Sequence, residues 1–399
     1  MGLAIIWPIF SPMLFDVSLP LLPNNASSEA RGFWLGLLLS LAPLSQFFSS
    51  PAWGAISDNL GRKRPLQFSL MITCLGSVFA FFGVYFYSLW CILLSRIVIG
   101  LGSGNISIVQ ATIADISTPE EKTKNFGLLG MMIGLGFTIG PFIGGSFSCY
   151  GYSVPFIITT LLAALNLIFV IVLFQETLRF PIKTKINWKI GIITLKKAFY
   201  LEGLRTIFLV SFLSSFAWVF FVEFIPVYLI NQFHFTSSNL GLFFGVASGI
   251  YAVNSGVLIR LVSKWANADI LIFGGLLLGG LSILAILLNA SSLTWMWLLI
   301  VFMFSFCAYL PPSLNTLVSN RASPQIQGEA LGVLASINAV STIVSSLFSG
   351  SFVGAHPTLP IWGGGTIMVV AAAIFFALYP NFILRKKTSQ FFTRSRSKD

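Results

Sequence analysis

Charge is scarce in this chain. Of its 399 residues, 9% are Asp, Glu, Lys or Arg and 56% are hydrophobic, and the mean hydropathy is +0.89. A soluble domain carries about 25% charged residues. So thin a set of charges cannot coat a water-facing surface, which excludes a soluble fold and makes lipid the solvent. Cysteine and histidine are scarce too. Cys74, Cys91, Cys149 and Cys307 are scattered without a Cys-x-x-Cys pair, and His234 and His356 do not stand at metal-ligand spacing from them. That pattern argues against a zinc site and a disulfide framework, so the cysteines read as small packing residues and no metal is expected. H-E-x-x-H, G-x-S-x-G and the P-loop are also missing. Their absence argues against an enzyme and against direct drive by ATP, and no cofactor is expected. A sensor would need an appended soluble domain, and none is seen.

What the chain has is apolar runs of membrane-spanning length. A membrane helix needs about 20 mostly apolar residues, and twelve such runs occur, at 2–22, 33–56, 66–86, 90–114, 125–147, 153–175, 206–230, 239–262, 269–289, 293–317, 328–353 and 361–380. The first has neither a basic leader nor a small-residue cleavage site, so it reads as a membrane helix rather than a signal peptide. The expected fold is an all-α integral membrane protein of twelve helices. The longest break divides it into a six-helix bundle over 1–176, a central loop over 177–205 and a second six-helix bundle over 206–380, with a basic tail over 381–399. Basic residues favour cytoplasmic loops. With residue 1 inside, every Lys and Arg except Arg31 and Arg96 falls in an inside segment. Both termini are therefore expected in the cytoplasm. The +11 net charge reports topology and contact with anionic headgroups, not nucleic acid. Within the central loop, "KINWKIGIITLKKAF" reads equally as an amphipathic surface helix or a plain tether.

The halves echo one another. Gly54, Asp58 and Arg62 recur as Gly256, Arg260 and Lys264, and Gly127 and Gly145 recur as Gly332 and Gly350. Repeats of this kind place substrate near the midplane between two halves that expose it to each side in turn.

The charges that do occur are concentrated. "GAISDNLGRKR", residues 54–64, joins the second span to the third. Gly54 permits close helix approach and Gly61 suits a tight turn. Asp58 at the membrane edge needs a cationic partner or a helix N-terminus, and Arg62, Lys63 and Arg64 anchor the loop. Such a charge-and-dipole latch can hold two bundles in one state. The stretch resembles the loop signature of the major facilitator superfamily, G-x-(L/I)-(S/A)-D-R-x-G-R-(R/K), matching at Gly54, Ile56, Ser57, Asp58, Gly61, Arg62 and Lys63. Asn59 stands where the family has its first arginine.

Further motifs extend the resemblance. In the fifth span, Gly130, Gly134, Gly136, Gly140, Pro141, Gly144 and Gly145 suffice for tight helix packing. Their order also resembles the superfamily's antiporter motif, which implies export. The upstream "IADISTPEEKTKNFG" is similar to the corresponding loop of tetracycline-type exporters. Among the 12 acids, Asp16 and Glu223 fall inside predicted spans, where an ionisable group is a functional candidate. Asp16 with Pro20 and Pro23 resembles the first-helix pattern of multidrug exporters. Arg96 with Gly100 and Gly104 resembles the family's R-x-x-x-G-x-x-x-G motif, linked to proton transfer. At about 1.5 Å per residue, Asp16 and Arg96 reach a similar level, so they are expected to pair, either as the proton-coupling pair that the resemblance implies or as a permanent ion pair fixing the first span against the fourth. Glu223 reads equally as a pocket residue, a second proton carrier or a bonded structural group.

Gln46, Asn105, Gln110, Glu223, Tyr251, Asn254, Tyr309, Asn315 and Asn338 are candidate pocket residues, set among aromatic side chains. A mostly apolar pocket with few polar groups suits amphipathic small molecules. The expected function is proton-coupled export of such molecules by alternating access, with export or import of one metabolite as the alternative. The expected partners are the substrate, protons and the bilayer of a bacterial inner membrane, with the chain acting as a monomer.

Overall fold

The computed structural model describes residues 2–118, 122–178, 190–201, 203–322 and 326–378. These form helices in chain order: α1 (Gly2–Ile5), α2 (Trp7–Phe15), α3 (Ser28–Leu60), α4 (Lys63–Tyr85), α5 (Leu89–Ser103), α6 (Ile106–Ile116), α7 (Lys122–Phe147), α8 (Val154–Val172), α9 (Ile190–Lys197), α10 (Arg205–Val222), α11 (Ile225–Phe233), α12 (Ser237–Val253), α13 (Ile259–Val262), α14 (Ala268–Ala285), α15 (Leu293–Cys307), α16 (Leu310–Arg321), α17 (Gln327–Val353) and α18 (Leu359–Leu378). Among the described residues, 11 helical stretches are long and apolar enough to cross a membrane. With the α1–α2 pair they make up two six-helix bundles. The basic tail lies outside the described residues, as do residues 179–189 of the central loop.

The first span is not the continuous helix expected over 2–22. Pro8 lies in the first turn of α2, and the helix breaks at Ile6. A proline supplies no N–H and its ring clashes with the carbonyl four residues back. α2 then ends at Phe15 and Asp16 is its C-cap. Three more spans are discontinuous: α5–α6 at Gly104–Asn105, α10–α11 at Glu223–Phe224 and α15–α16 at Ala308–Tyr309. Pro226 and Pro311 open α11 and α16. These breaks put polar side chains and freed backbone groups in the middle of the fold.

Two helix crossings join the bundles, and they are copies of each other. At the first, a methyl group on Gly350 of α17 would sit 2.5 Å from Gly36 Cα and 2.8 Å from Gly32 O on α3. At the second, a methyl group on Gly145 of α7 would sit 2.4 Å from Gly241 Cα and 2.6 Å from Ser237 O on α12. Gly36 and Gly241, Gly32 and Ser237, and Gly350 and Gly145 are all 205 positions apart. The internal repeat is thus built as a pseudo-two-fold, with each half supplying one helix to each crossing. Only hydrogen at Cα lets backbones meet this closely.

Away from the crossings the helices diverge. Along α12, a methyl group on Gly245 would lie 3.2 Å from Phe142, and one on Gly249 would lie 3.6 Å from Thr138. One on Gly134 or Gly256 would meet no described atom within 4 Å. The molecule is therefore a V, closed at the glycine crossings and open at the end that carries Arg62. We call this the basic end.

Gly350→Ala is expected to force the α3–α17 backbones apart. Overpacking costs about 1–3 kcal/mol, so the ratio of closed to open apex should fall roughly fivefold or more. Distances between spin labels on the loops at the closed end would lengthen; an unchanged distribution would mean that the crossing has slack.

Candidate functional site

At the basic end, the residues of the loop signature form a compact charge cluster. Arg62 Nη1 donates to Asp58 Oδ1 at 2.6 Å and to Ser57 Oγ at 2.8 Å, while Nε donates to Asp115 Oδ2 at 2.8 Å. Burial opposes the charge on Arg62, but hydrogen bonds to Asp115 and Asp58 outweigh it and hold the guanidinium above its ordinary pKa. A methyl group on Gly54 would lie 3.7 Å from Ser107 Oγ, an ordinary van der Waals distance. Gly61 has φ +87°, and a side chain there would collide with Glu176. All these groups belong to the first bundle. In this state the cluster stiffens that bundle, and the expected latch between bundles is not what it forms.

Sequence reasoning missed Glu176. The chain leaves α8 at Val172 and folds back so that this carboxylate caps α4. Its Oε1 accepts from Arg62 N at 2.7 Å and its Oε2 from Lys63 N at 3.1 Å. Oε1 also accepts from Thr177 N and Leu178 N. Burial would raise the pKa of Glu176, but these four backbone donors outweigh it and lower the pKa. A carboxylate at a helix N-terminus satisfies orphan N–H groups and the positive end of the dipole.

The apex holds the second group of charges. Arg96 is 7% exposed, donates Nε to Leu38 O at 3.2 Å and lies 5.2 Å from the ring centroid of Phe10. Its Nη1 is buried with no hydrogen-bond partner among the described residues. Glu223 caps α10 and accepts from Ser346 Oγ at 2.5 Å. Arg96 comes from the first bundle and Glu223 from the second, and the two interact electrostatically across the interface. Ser346 also lies against Gly36, so Glu223 sits beside the glycine crossing. The expected Asp16–Arg96 pair is not formed. Asp16 Oδ1 instead accepts from Ser18 N at 2.9 Å and Ser18 Oγ at 2.6 Å. The physical reason is the early end of α2: the depth comparison assumed a helix running past Asp16.

The antiporter-motif glycines serve two neighbours. Gly140 and Gly144 face Ala4 and Ile5 of α1, while Gly145 and the carbonyl of Pro141 face Gly241 of α12. Gly134 borders open space and Gly136 is buried. Gly130 lies in α7, with surroundings outside the described residues.

The pocket candidates separate. Gln46 donates to Ser103 O inside the first bundle, Asn105 sits at the α5–α6 break and Gln110 is exposed on α6. In the second bundle, Tyr251, Asn315 and Asn338 line one cavity with Ser214, Ser215 and Trp218. Asn338 Oδ1 accepts from Ser211 Oγ at 2.7 Å and Ser215 Oγ at 2.9 Å. Trp218 lies 5.5 Å from Tyr251, centroid to centroid. Asn254 and Tyr309 instead pair with each other, Tyr309 Oη donating to Asn254 Oδ1 at 2.7 Å. Cys307 lines the cavity, and the four cysteines are unpaired.

Glu176→Gln keeps the shape but loses the charge and one acceptor oxygen. Amide exchange at Arg62 and Lys63 should quicken roughly tenfold at neutral pH. Because the folded-state pKa is lowered, the wild-type clamp persists at neutral pH and is lost only as pH falls through that lowered value. Exchange rates that match wild type at neutral pH would show that the cap holds nothing.

Comparison with known proteins agrees with this architecture. The chain is 25% identical over 394 residues to the class C tetracycline resistance protein of Escherichia coli, covering 95% of this chain and 92% of that protein. It is 26% identical over 388 residues to the quinolone resistance protein NorA of Staphylococcus aureus, covering 91% and 89%. The crystal structure of the D-xylose-proton symporter superposes with a TM-score of 0.74 at 17% identity, over 94% of each chain. That of the human organic anion transporter MFSD10 does so with a TM-score of 0.70 at 21% identity, over 94% and 95%. The model of the Major Facilitator Superfamily matches residues 1–346, and the chain belongs to that superfamily.

Proposed function

We propose that this protein exports small amphipathic molecules across a bacterial inner membrane in exchange for protons, with Glu223 as the coupling carboxylate. The carrying observation is the placement of two opposite charges at the apex. Glu223 of the second bundle, held by Ser346 beside the glycine crossing, and Arg96 of the first bundle lie within range of electrostatic attraction without forming a direct ion pair. The basic end faces the cytoplasm in this reading, supported by the distribution of Lys and Arg and by the resistance proteins named above.

The coupling follows from electrostatics. With Glu223 ionised and no substrate bound, attraction to Arg96 holds the bundles together at the apex. The empty carrier is thereby kept from switching, which prevents futile proton leak. A proton on Glu223 removes the attraction. A substrate that engages the carboxylate or displaces Arg96 weakens it as well. Either one releases the apex, and because both act on one carboxylate they act in alternation, which is exchange. An ion interaction in a low-dielectric setting is strong enough for this role, and leaving one partner unpaired is costly.

The cavity supplies the other half of the cycle. Asn338, Asn315 and the Ser214–Ser215 pair offer neutral hydrogen-bonding groups beside the faces of Trp218 and Tyr251. Such a lining favours ring-containing molecules with a few polar groups and disfavours phosphates and dicarboxylates. One chain contains both bundles, the cavity and the apex, so the reading requires no second copy. Transport also accounts for the fold without any catalytic step.

The experiment is proton exchange in inverted vesicles under an imposed pH gradient, with ethidium, tetracycline and norfloxacin as probes. Wild type should release protons when a transported probe is added. Glu223→Gln should lower gradient-driven flux at least a hundredfold, while Asp16→Asn should leave it within about twofold of wild type. Full flux in Glu223→Gln would remove that carboxylate from the mechanism, and loss in Asp16→Asn would return coupling to the first helix. Asn338→Leu should weaken probe binding roughly tenfold, as loss of a hydrogen bond predicts, with Glu223-dependent proton exchange still measurable at saturating probe.

A further inference from the structure

The pseudo-two-fold makes two equivalent clefts at the basic end, α7–α12 and α3–α17. They are not treated alike. In the α3–α17 cleft stands α9, the short helix of the central loop. Gly32, Gly36, Pro43 and Phe47 lie within about 60° of one another around α3. They form one face, which meets α17 at the apex and carries Phe47 where the helices have diverged. A methyl group on Gly191 of α9 would lie 2.6 Å from Phe47 Cζ. At the other end of α9, Lys197 Nζ pairs with Glu329 Oε1 of α17 at 2.7 Å. Glu329 and Gly332 occupy the same side of α17 as Gly350, so they too line the cleft.

The heights agree. α3 and α17 run antiparallel, with Gly32 beside Gly350 and Gly36 beside Ser346. On that register Phe47 stands about 9 Å above Glu329, measured from the basic end. Gly191 to Lys197 along α9 is also about 9 Å. The helix therefore rises into the cleft instead of lying across its mouth. Gly191 is buried, and Leu195 and Ala198 pack on the core of the second bundle.

We propose that α9 is a wedge: seated between α3 and α17, it props the basic end open and must withdraw before that end can close. The central loop then does more than connect the bundles. It sets which end of the carrier rests open, and withdrawal of α9 becomes a required step in each cycle. This rests on the alternating-access reading above. A tether could stay in place during closure, because it would not occupy space that α3 and α17 need.

The test places cysteines at Gly191 and Phe47 in a chain whose four native cysteines are replaced. The protein is reconstituted in vesicles and joined with a short bis-methanethiosulfonate reagent. The pair should link in high yield without substrate, ethidium flux should fall at least tenfold, and reductant should restore it. Failure to link, or undiminished flux through linked protein, overturns the proposal. A second readout does not depend on transport. Spin labels at Leu60 and Trp265, both exposed at the basic end, report its opening. Lys197→Glu and Glu329→Lys should each raise the short-distance population severalfold, and the double exchange should reverse most of that shift. Distances unmoved in both single variants would also overturn the wedge. Absent probe flux in the unlinked protein would instead count against the transport reading, with the label distances still deciding the wedge.

Discussion

Two backbone-to-backbone contacts control this molecule. At Gly36–Gly350 and Gly145–Gly241, helices from opposite bundles approach to a separation that no other residue permits. In lipid, apolar side chains gain nothing by leaving the solvent, so helix association depends on close packing and on hydrogen bonds. The crossings supply the packing, and the hydrogen bond from Ser346 to Glu223, inside the second bundle, fixes α17 against α10 beside one of them. Because each half contributes one helix to each crossing, the two contacts form or break together. Closure at the apex and splay at the basic end are then two aspects of one rigid-body arrangement. A chain without those glycines would have two bundles but no pivot.

Charge is used according to the same geometry. At the basic end Arg62 is satisfied by Asp58, Ser57 and Asp115, and Glu176 by four backbone donors, all within one bundle. A cluster that closes on itself within one bundle acts as a brace. At the apex the arrangement is unsaturated. Arg96 has a buried N–H group without a hydrogen-bond partner among the described residues, and its countercharge lies in the other bundle. An unsatisfied buried donor is costly, and this one is placed where a change of ligand or protonation can alter the cost. Arg31 is a second buried guanidinium with a nitrogen, Nη2, unpartnered among the described residues, but its Nη1 donates to Leu14 O and so closes the end of α2.

Much of this was legible in the sequence because it is written in local patterns. Span number, the loop signature and the spacing between glycine repeats follow from hydropathy and short motifs. The 205-residue offset that links Gly145 to Gly350 is the offset that relates the two crossings. What could not be read depends on long-range geometry. The depth of Asp16 is misjudged by counting along an unbroken span, because the chain breaks at Ile6 before Pro8 and α2 stops at Phe15. Glu176 is one carboxylate after a hydrophobic run, and nothing local says that the chain folds back 114 residues to cap α4. The partnership of Arg96 with Glu223 joins residues of different bundles, and depth along a single helix does not reveal it. Gln46, Asn105 and Gln110 show the limit of the mid-span rule, since height in the membrane does not fix the direction a side chain faces.

A carrier has to be nearly indifferent between its two states. Moving a two-state equilibrium from 1:99 to 99:1 takes about 5.5 kcal/mol, and a substrate or a proton has to supply that difference. Contacts that hold either state must therefore be few and individually modest. At the apex the bundles meet through the glycine packing, through α2 against α11 and α12 with the Trp7 and Phe244 rings stacked at 5.3 Å, and through one longer-range attraction between Arg96 and Glu223. The Asp58–Arg62–Asp115 cluster would be too strong if it bridged the bundles, and it is kept within one of them. α9 follows the same economy, held by one exposed ion pair, Lys197–Glu329, and by limited apolar packing. An exposed ion pair contributes about 0–1 kcal/mol, enough to bias the cleft and small enough to be lost in each cycle. The strong charge cluster is thus confined within one bundle, and the polar contacts that reach between moving parts are weaker than it is.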